Sequence, residues 1–174
     1  LLEDFSKYIN IKSNYNFKNL WKWSVDHPEE FWSKIWDYSK IIGDKGKEII
    51  KYNKIFNKTN FFPDSKLNYS ENILKKKSSE IAISFLSEKG FEEEISWKQL
   101  YNKVCKFSNY LKSIGLKKGD RVAAYVPNKI ESIIGFLACA KNGIIWSSCS
   151  PDFGTQGVVA VSYTHLTLPT IVDV

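Results

Sequence analysis

From residue 80 onward the apolar residues change period repeatedly, and that change confines the chain to an α/β architecture. Ile81-Ala82-Ile83-Ser84-Phe85-Leu86 reads as a strand, Gly90 as a hairpin turn, and Glu92 to Trp97 as the return strand. Ser96 then caps a helix, with Gln99 three residues on to complete a capping box. Leu100, Val104, Phe107, Leu111 and Ile114 recur at helical spacing and form its buried face, and Gly115 ends it. The turn Lys118-Gly119-Asp120 opens a buried strand, Arg121-Val122-Ala123-Ala124-Tyr125-Val126, which Pro127-Asn128 breaks. Asn128 is expected to cap the next helix, whose apolar residues are Ile130, Ile133, Ile134, Leu137 and Ala138, and Gly143 stops it. Ile144-Ile145-Trp146-Ser147-Ser148 follows as another buried strand. Strand, helix, strand, helix, strand implies a parallel sheet with right-handed crossovers. Ligands of such sheets sit beyond the carboxyl ends of strands, which singles out the Pro127-Asn128 bend and the loop 148–154.

The first 60 residues read differently, as helical and unusually aromatic. Asp26-His27-Pro28-Glu29 looks like a helix start, with Asp26 as cap, Pro28 in the first turn and Glu29 closing a capping box. Phe31, Ile35, Tyr38 and Ile42 give the helix an apolar stripe flanked by Trp32 and Trp36, and Gly43 is expected to end it. Trp21 and Trp23 lie on a shorter helical stretch before it. Tryptophans gathered between residues 21 and 36 fit two uses, packing of a helical extension or an aromatic cage for a ligand. Residues 44–72 read as an irregular connection, with a short helix from about Tyr69 to Leu74.

Charge and cysteine usage exclude some functions. The net charge is +6, but only Arg121 of the 25 basic residues is an arginine. The lysines are scattered, so forked recognition of phosphates or base edges is not expected, and neither is a nucleic-acid partner. Cys105, Cys139 and Cys149 are odd in number, lack a CxxC spacing and sit in apolar surroundings, which favours buried thiols over disulfides or metal ligands. No apolar run reaches membrane-spanning length, and Leu1-Leu2 meets Glu3-Asp4 at once, unlike a signal peptide. A soluble cytoplasmic protein without a membrane partner is the expectation. The chain contains no methionine, so its natural N-terminus is expected to lie upstream of Leu1.

Several stretches together carry a family likeness. They are Gly119-Asp120-Arg121-Val122-Ala123, Pro127-Asn128, residues 138–143, and Ile145-Trp146-Ser147-Ser148-Cys149-Ser150-Pro151-Asp152-Phe153-Gly154. This set resembles the acyl-adenylate-forming, or AMP-binding, enzymes, and within them the acetoacetate-activating branch. "LWKWSVDHPEEFW" is similar to that branch's N-terminal helical region, and "FFPDSKLNYSENIL" to its linker into the large domain. The resemblance implies an incomplete α/β fold. Residues 1–60 would be the helical N-terminal extension, and 61–160 the first strand-helix-strand units of the large domain.

The implied parent activity is an AMP-forming ligation in lipid metabolism, with acetoacetate, ATP and CoA as substrates and Mg²⁺ as the metal. A carboxylate attacks the α-phosphate of ATP, pyrophosphate leaves, and the CoA thiol then displaces AMP. By the same resemblance Ser150, Pro151 and Asp152 line the passage of CoA's pantetheine arm. No Ser/Thr/Gly-rich phosphate loop ending in lysine occurs in the sequence. The chain is therefore expected to be an opening portion, inactive alone, holding none of these ligands by itself and none of the catalytic residues. Read without the resemblance, Asp152 caps the following helix and Cys149 is a buried thiol, with no histidine placed to make it a nucleophile. A stand-alone, non-catalytic helical and α/β binding module is the other reading these residues leave open.

The last stretch departs from the pattern. Val161-Ser162-Tyr163-Thr164-His165-Leu166-Thr167-Leu168-Pro169-Thr170 matches one reading frame of a transposon-based sequencing-library adaptor. Residues 161–174 are accordingly expected to be a non-native tail, and His165 and Tyr163 to have no catalytic role.

Overall fold

The computed structural model describes residues 2–9 and 16–163. The expected tail from Thr164 on, His165 included, lies outside the described residues. The chain forms two compact units, residues 1–67 and 68–174.

The first unit contains α1 (Leu2–Tyr8), α2 (Phe17–Asp26) and α3 (Pro28–Tyr38). Asn16 caps α2, its Oδ1 accepting from Asn19 N at 2.8 Å. Asp26 does not cap α3, contrary to expectation. It is the last residue of α2, where its carboxylate meets Lys22 Nζ at 2.7 Å, and His27 takes the cap position without a side-chain bond. Pro28 does occupy the first turn, where a missing N–H costs nothing. The helix also stops short of Gly43. It ends at Tyr38, and Lys40 turns the chain at φ 51°. Gly43 instead lies in β1 (Gly43–Asp44), where a Cβ would come within 2.7 Å of the Lys66 carbonyl oxygen.

Aromatic edges make this unit's core. Phe5 is buried against Phe31 and Tyr38, at 6.1 and 5.1 Å between ring centroids. Trp23 meets Phe31 at 5.9 Å, Trp32 meets Phe61 at 5.2 Å, and Trp36 meets Phe62 at 4.9 Å. Three of the four clustered tryptophans thus pack on neighbouring rings, as the packing reading expects, while Trp21 and part of Trp32 are exposed. The connection is less irregular than its sequence. β1 pairs antiparallel with β4 (Lys66–Leu67), and β2 (Ile50–Lys51) with β3 (Asn60–Phe61).

The second unit begins with α4 (Tyr69–Ile73), whose start explains much of its local order. Asn68 Oδ1 accepts from Glu71 N at 3.0 Å and caps α4. Its Nδ2 donates to Ala140 O at 2.9 Å, with Lys141 O at 3.3 Å, so the same side chain closes the far end of another helix. Asn68→Asp keeps the cap acceptor but loses the donor and sets a negative charge against helix-end carbonyls. It should cost about 2 kcal/mol, more than Asn68→Ser at about 1 kcal/mol, although both are good caps; urea unfolding of the two variants checks the order.

β5 (Ile81–Leu86) and β6 (Glu92–Ser96) form the expected antiparallel hairpin. The capping box of Ser96 and Gln99 opens α5 (Trp97–Ser113) as read from the sequence. Ile114 is not on the buried face; it is the exposed C-cap, and Ser108 fills the corresponding buried turn. Ser108 Oγ donates to Asn142 Oδ1 at 2.8 Å, and Asn142 Nδ2 donates back to Ser108 O at 3.0 Å. This exchange locks α5 to α6 (Ile130–Asn142) and satisfies a buried hydroxyl.

α6 is the crossover between β7 (Arg121–Tyr125) and β8 (Ile145–Cys149), which pair parallel from Arg121↔Ile145 to Tyr125↔Cys149. Lys129, not Asn128, takes the cap position, since the chain enters the helix one residue later than Asn128 would require. Gly143 ends α6 at φ 68° as expected. Val104, Ala138 and Cys139 are fully enclosed, with Leu100, Leu111, Ile130 and Leu137 around them. Among the described residues β7 and β8 pair only with each other. They are therefore not the buried strands expected: Tyr125 and Ile145 are half exposed. α7 (Thr155–Ser162) closes the described part. No helix among the described residues is long and apolar enough to cross a membrane.

Candidate functional site

Parallel register brings the carboxyl ends of β7 and β8 to one level, because Tyr125 stands opposite Cys149. Val126 N donates to Cys149 O at 3.1 Å and extends the ladder by one bond. Pro127 has no N–H to continue it, so both chains leave the sheet at the same edge. That puts the bend at Pro127-Asn128 beside residues 150–153 of the loop 148–154, the two places singled out for ligands.

The loop has a defined shape. Ser150 Oγ donates to Asp152 Oδ2 at 2.8 Å, and Asp152 N lies 3.3 Å from the same Oγ. Phe153 N donates to Ser150 O at 3.1 Å and closes the turn. Tyr125 Oη reaches over the end of β7 to Pro151 O at 2.8 Å and Phe153 O at 3.1 Å. Of the three residues expected to line a ligand passage, Asp152 faces a cleft of about 630 Å³. Ser150 holds the Asp152 carboxylate, and Pro151 offers its carbonyl to Tyr125. Asp152 does not cap α7; Gly154 takes that position with no side-chain bond.

The remaining walls come from residues that sequence reasoning did not single out. Phe85 and Phe91 approach from the β5–β6 hairpin, with centroids 6.3 Å apart, and Lys129 stands beside Pro127 and Asn128. The cleft thus joins an apolar aromatic wall to amide, ammonium and carboxylate groups, a mixture suited to a long ligand with apolar and polar segments.

Two of the three thiols are enclosed, while Cys105, expected to be buried, is only partly so. Cys149 is buried at the end of β8, and burial pushes the Cys139 thiol up from 9.0 to about 11. A thiol held protonated is a poor nucleophile. The second unit's described residues include no histidine, and His27 belongs to the first unit. Among the described residues no group of three or more His, Cys, Asp and Glu side chains could hold a metal ion.

A crossover helix between parallel strands, with a cleft at their carboxyl ends, defines an α/β unit of the class whose ligands sit at strand ends. The model of the AMP-binding enzyme family matches residues 71–163, and the chain belongs to that family. The model for the acetyl-coenzyme A synthetase N-terminus matches residues 17–73. Acetoacetyl-coenzyme A synthetase of Rhizobium meliloti (strain 1021) is 40% identical over 137 residues, covering 79% of this chain and 21% of that protein. Acetoacetyl-CoA synthetase of Xenopus tropicalis is 39% identical over 148 residues, covering 83% of this chain and 22% of that protein. The structure of acetoacetyl-CoA synthetase from Streptomyces lividans superimposes with a TM-score of 0.77 at 25% identity, over 91% of this chain and 26% of that one. The chain spans about a fifth of the length of the curated relatives it matches.

Proposed function

We propose that the chain is the opening portion of an AMP-forming acid–CoA ligase that converts acetoacetate, ATP and CoA to acetoacetyl-CoA, AMP and pyrophosphate. The observation that carries this reading is the likeness to acetoacetyl-CoA synthetases, which runs through the helical unit and the α/β unit alike. In the first half-reaction a carboxylate oxygen bonds to the α-phosphorus and the bond to pyrophosphate breaks. In the second the CoA sulfur bonds to the acyl carbon, AMP leaves, and the thiol proton goes to solvent.

This chain's own contribution belongs to the second half-reaction. Asp152 and the 150–153 turn flank the pantetheine arm along the cleft, and Phe85 and Phe91 supply an apolar wall for its methylenes. The sequence holds no glycine-rich phosphate loop, and we assign the grip on Mg²⁺ and triphosphate to the rest of the parent enzyme. We place the parent activity in the cytoplasm, feeding lipid metabolism, and assign residues from about 161 to adaptor sequence.

Expression of the uninterrupted gene tests the reading. Its product should consume CoA and form a thioester only when acetoacetate and ATP are both present. Failure to activate acetoacetate, with turnover of another short acid, would replace the substrate; failure with every acid would leave a binding module.

A further inference from the structure

We propose that Tyr125 is a positioning residue for thioester formation, latching the 150–153 loop to the end of β7. The proposal rests on the reading that this loop flanks the pantetheine arm. Bonds among Ser150, Asp152 and Phe153 shape the loop, but each of them begins and ends inside it. They leave the folded turn free to swing about its two ends. Beyond the ladder itself, two groups at the end of β7 reach this end of β8 and its loop. One, Val126 N, donates to Cys149 O and so stops at the last residue of β8. The other is the Tyr125 hydroxyl, which sits between the carbonyls of Pro151 and Phe153 and so spans the turn that carries Asp152.

A phenol has one hydrogen to donate, so the two carbonyls share it. That sharing holds Pro151 and Phe153 at a fixed separation and sets the direction in which Asp152 enters the cleft. Tyr125 is 55% exposed and lies outside the apolar core, so its role is local. Removing the hydroxyl alone should free the loop while leaving the core intact.

Tyr125→Phe is the test, read in two ways. In the 174-residue chain the melting midpoint should stay in place, while the amide of Phe153 exchanges about five-fold faster, the effect of one ordinary hydrogen bond. In the product of the uninterrupted gene the KM for CoA should rise by about the same five-fold, and acetoacetate-dependent ATP–pyrophosphate exchange should not change. Unchanged amide exchange overturns the latch. Faster amide exchange with an unchanged KM for CoA overturns its part in thioester formation. Equal losses in both half-reactions, or a lowered melting midpoint, make Tyr125 a structural residue and also overturn the proposal. Failure of the underlying reading is separate, because Asp152→Ala would then leave the KM for CoA unchanged, whatever Tyr125→Phe does to the amide of Phe153.

Discussion

The 174-residue chain alone should give no acetoacetate-dependent exchange of labelled pyrophosphate into ATP. Exchange requires a carboxylate to attack the α-phosphorus of a tetra-anion, and the charge that builds on the departing pyrophosphate must be met by fixed donors. Preorganised donors of this kind are each worth about 10²- to 10³-fold in rate. The usual cradle is a glycine-rich loop whose successive backbone N–H groups point at phosphate, ending in a lysine. Here the nine glycines are spread singly along the sequence, and it contains no glycine-rich run ending in lysine. With several such donors missing at once, the expected signal equals the protein-free blank. Exchange above that blank that depends on both acetoacetate and the chain would mean that some other part of this fold grips triphosphate. Incubation with preformed acyl-adenylate and CoA serves as the companion measurement, since it bypasses the triphosphate entirely.

How legible the molecule was in its sequence depended on how far each interaction reaches along the chain. The Ser96–Gln99 capping box was readable because both partners lie within one helical turn. Gly143 was readable because a left-handed residue after an apolar helix favours glycine. Caps failed where residue type gave the neighbourhood and not the position. Asp26 was claimed by the helix before it, and Asn128 gave way to Lys129. Two-residue ladders such as β2–β3 carry no period to detect. The carboxyl ends of the strands could be singled out because Pro127 and the 150–153 turn punctuate the pattern, and a cleft does open there. The hairpin wall at Phe85 and Phe91 was not, because it meets Pro127 only in the folded unit. Tyr125 escaped notice for the same reason, with partners 26 and 28 residues away and no spacing to announce them.

One local rule was broken in a way that carries a large expected effect. Gly135 sits in the middle of α6, where glycine costs about 1 kcal/mol relative to alanine. The indole of Trp146 accounts for it. A Cβ on Gly135 would lie 2.5 Å from Trp146 Cη2 and 2.9 Å from Cζ3, inside any real carbon–carbon contact. Relief of the clash needs the whole indole to rotate about its own side-chain bonds, away from α6 and into the cleft of about 390 Å³ that it lines with Phe107 and Val126, which gives up its packing on the helix. Gly135→Ala should therefore destabilise the second unit by about 1–2 kcal/mol, overpacking outweighing the gain in helix propensity. Gly135→Val adds two methyl groups against the same ring and should cost about 3 kcal/mol or more. A double-mutant cycle separates the causes. In a Trp146→Leu background the clash is gone, and Gly135→Ala should become neutral or stabilising, so the two changes couple by more than 1 kcal/mol. If Gly135→Ala costs the same in both backgrounds, helix and ring are independent, and the close approach does not explain the glycine. The contact also bears on the site, because β8 carries the 150–153 loop. Amide exchange in that loop reads how the clash is relieved: an indole that turns into its cleft leaves the loop amides unchanged, whereas one that draws β8 with it speeds their exchange.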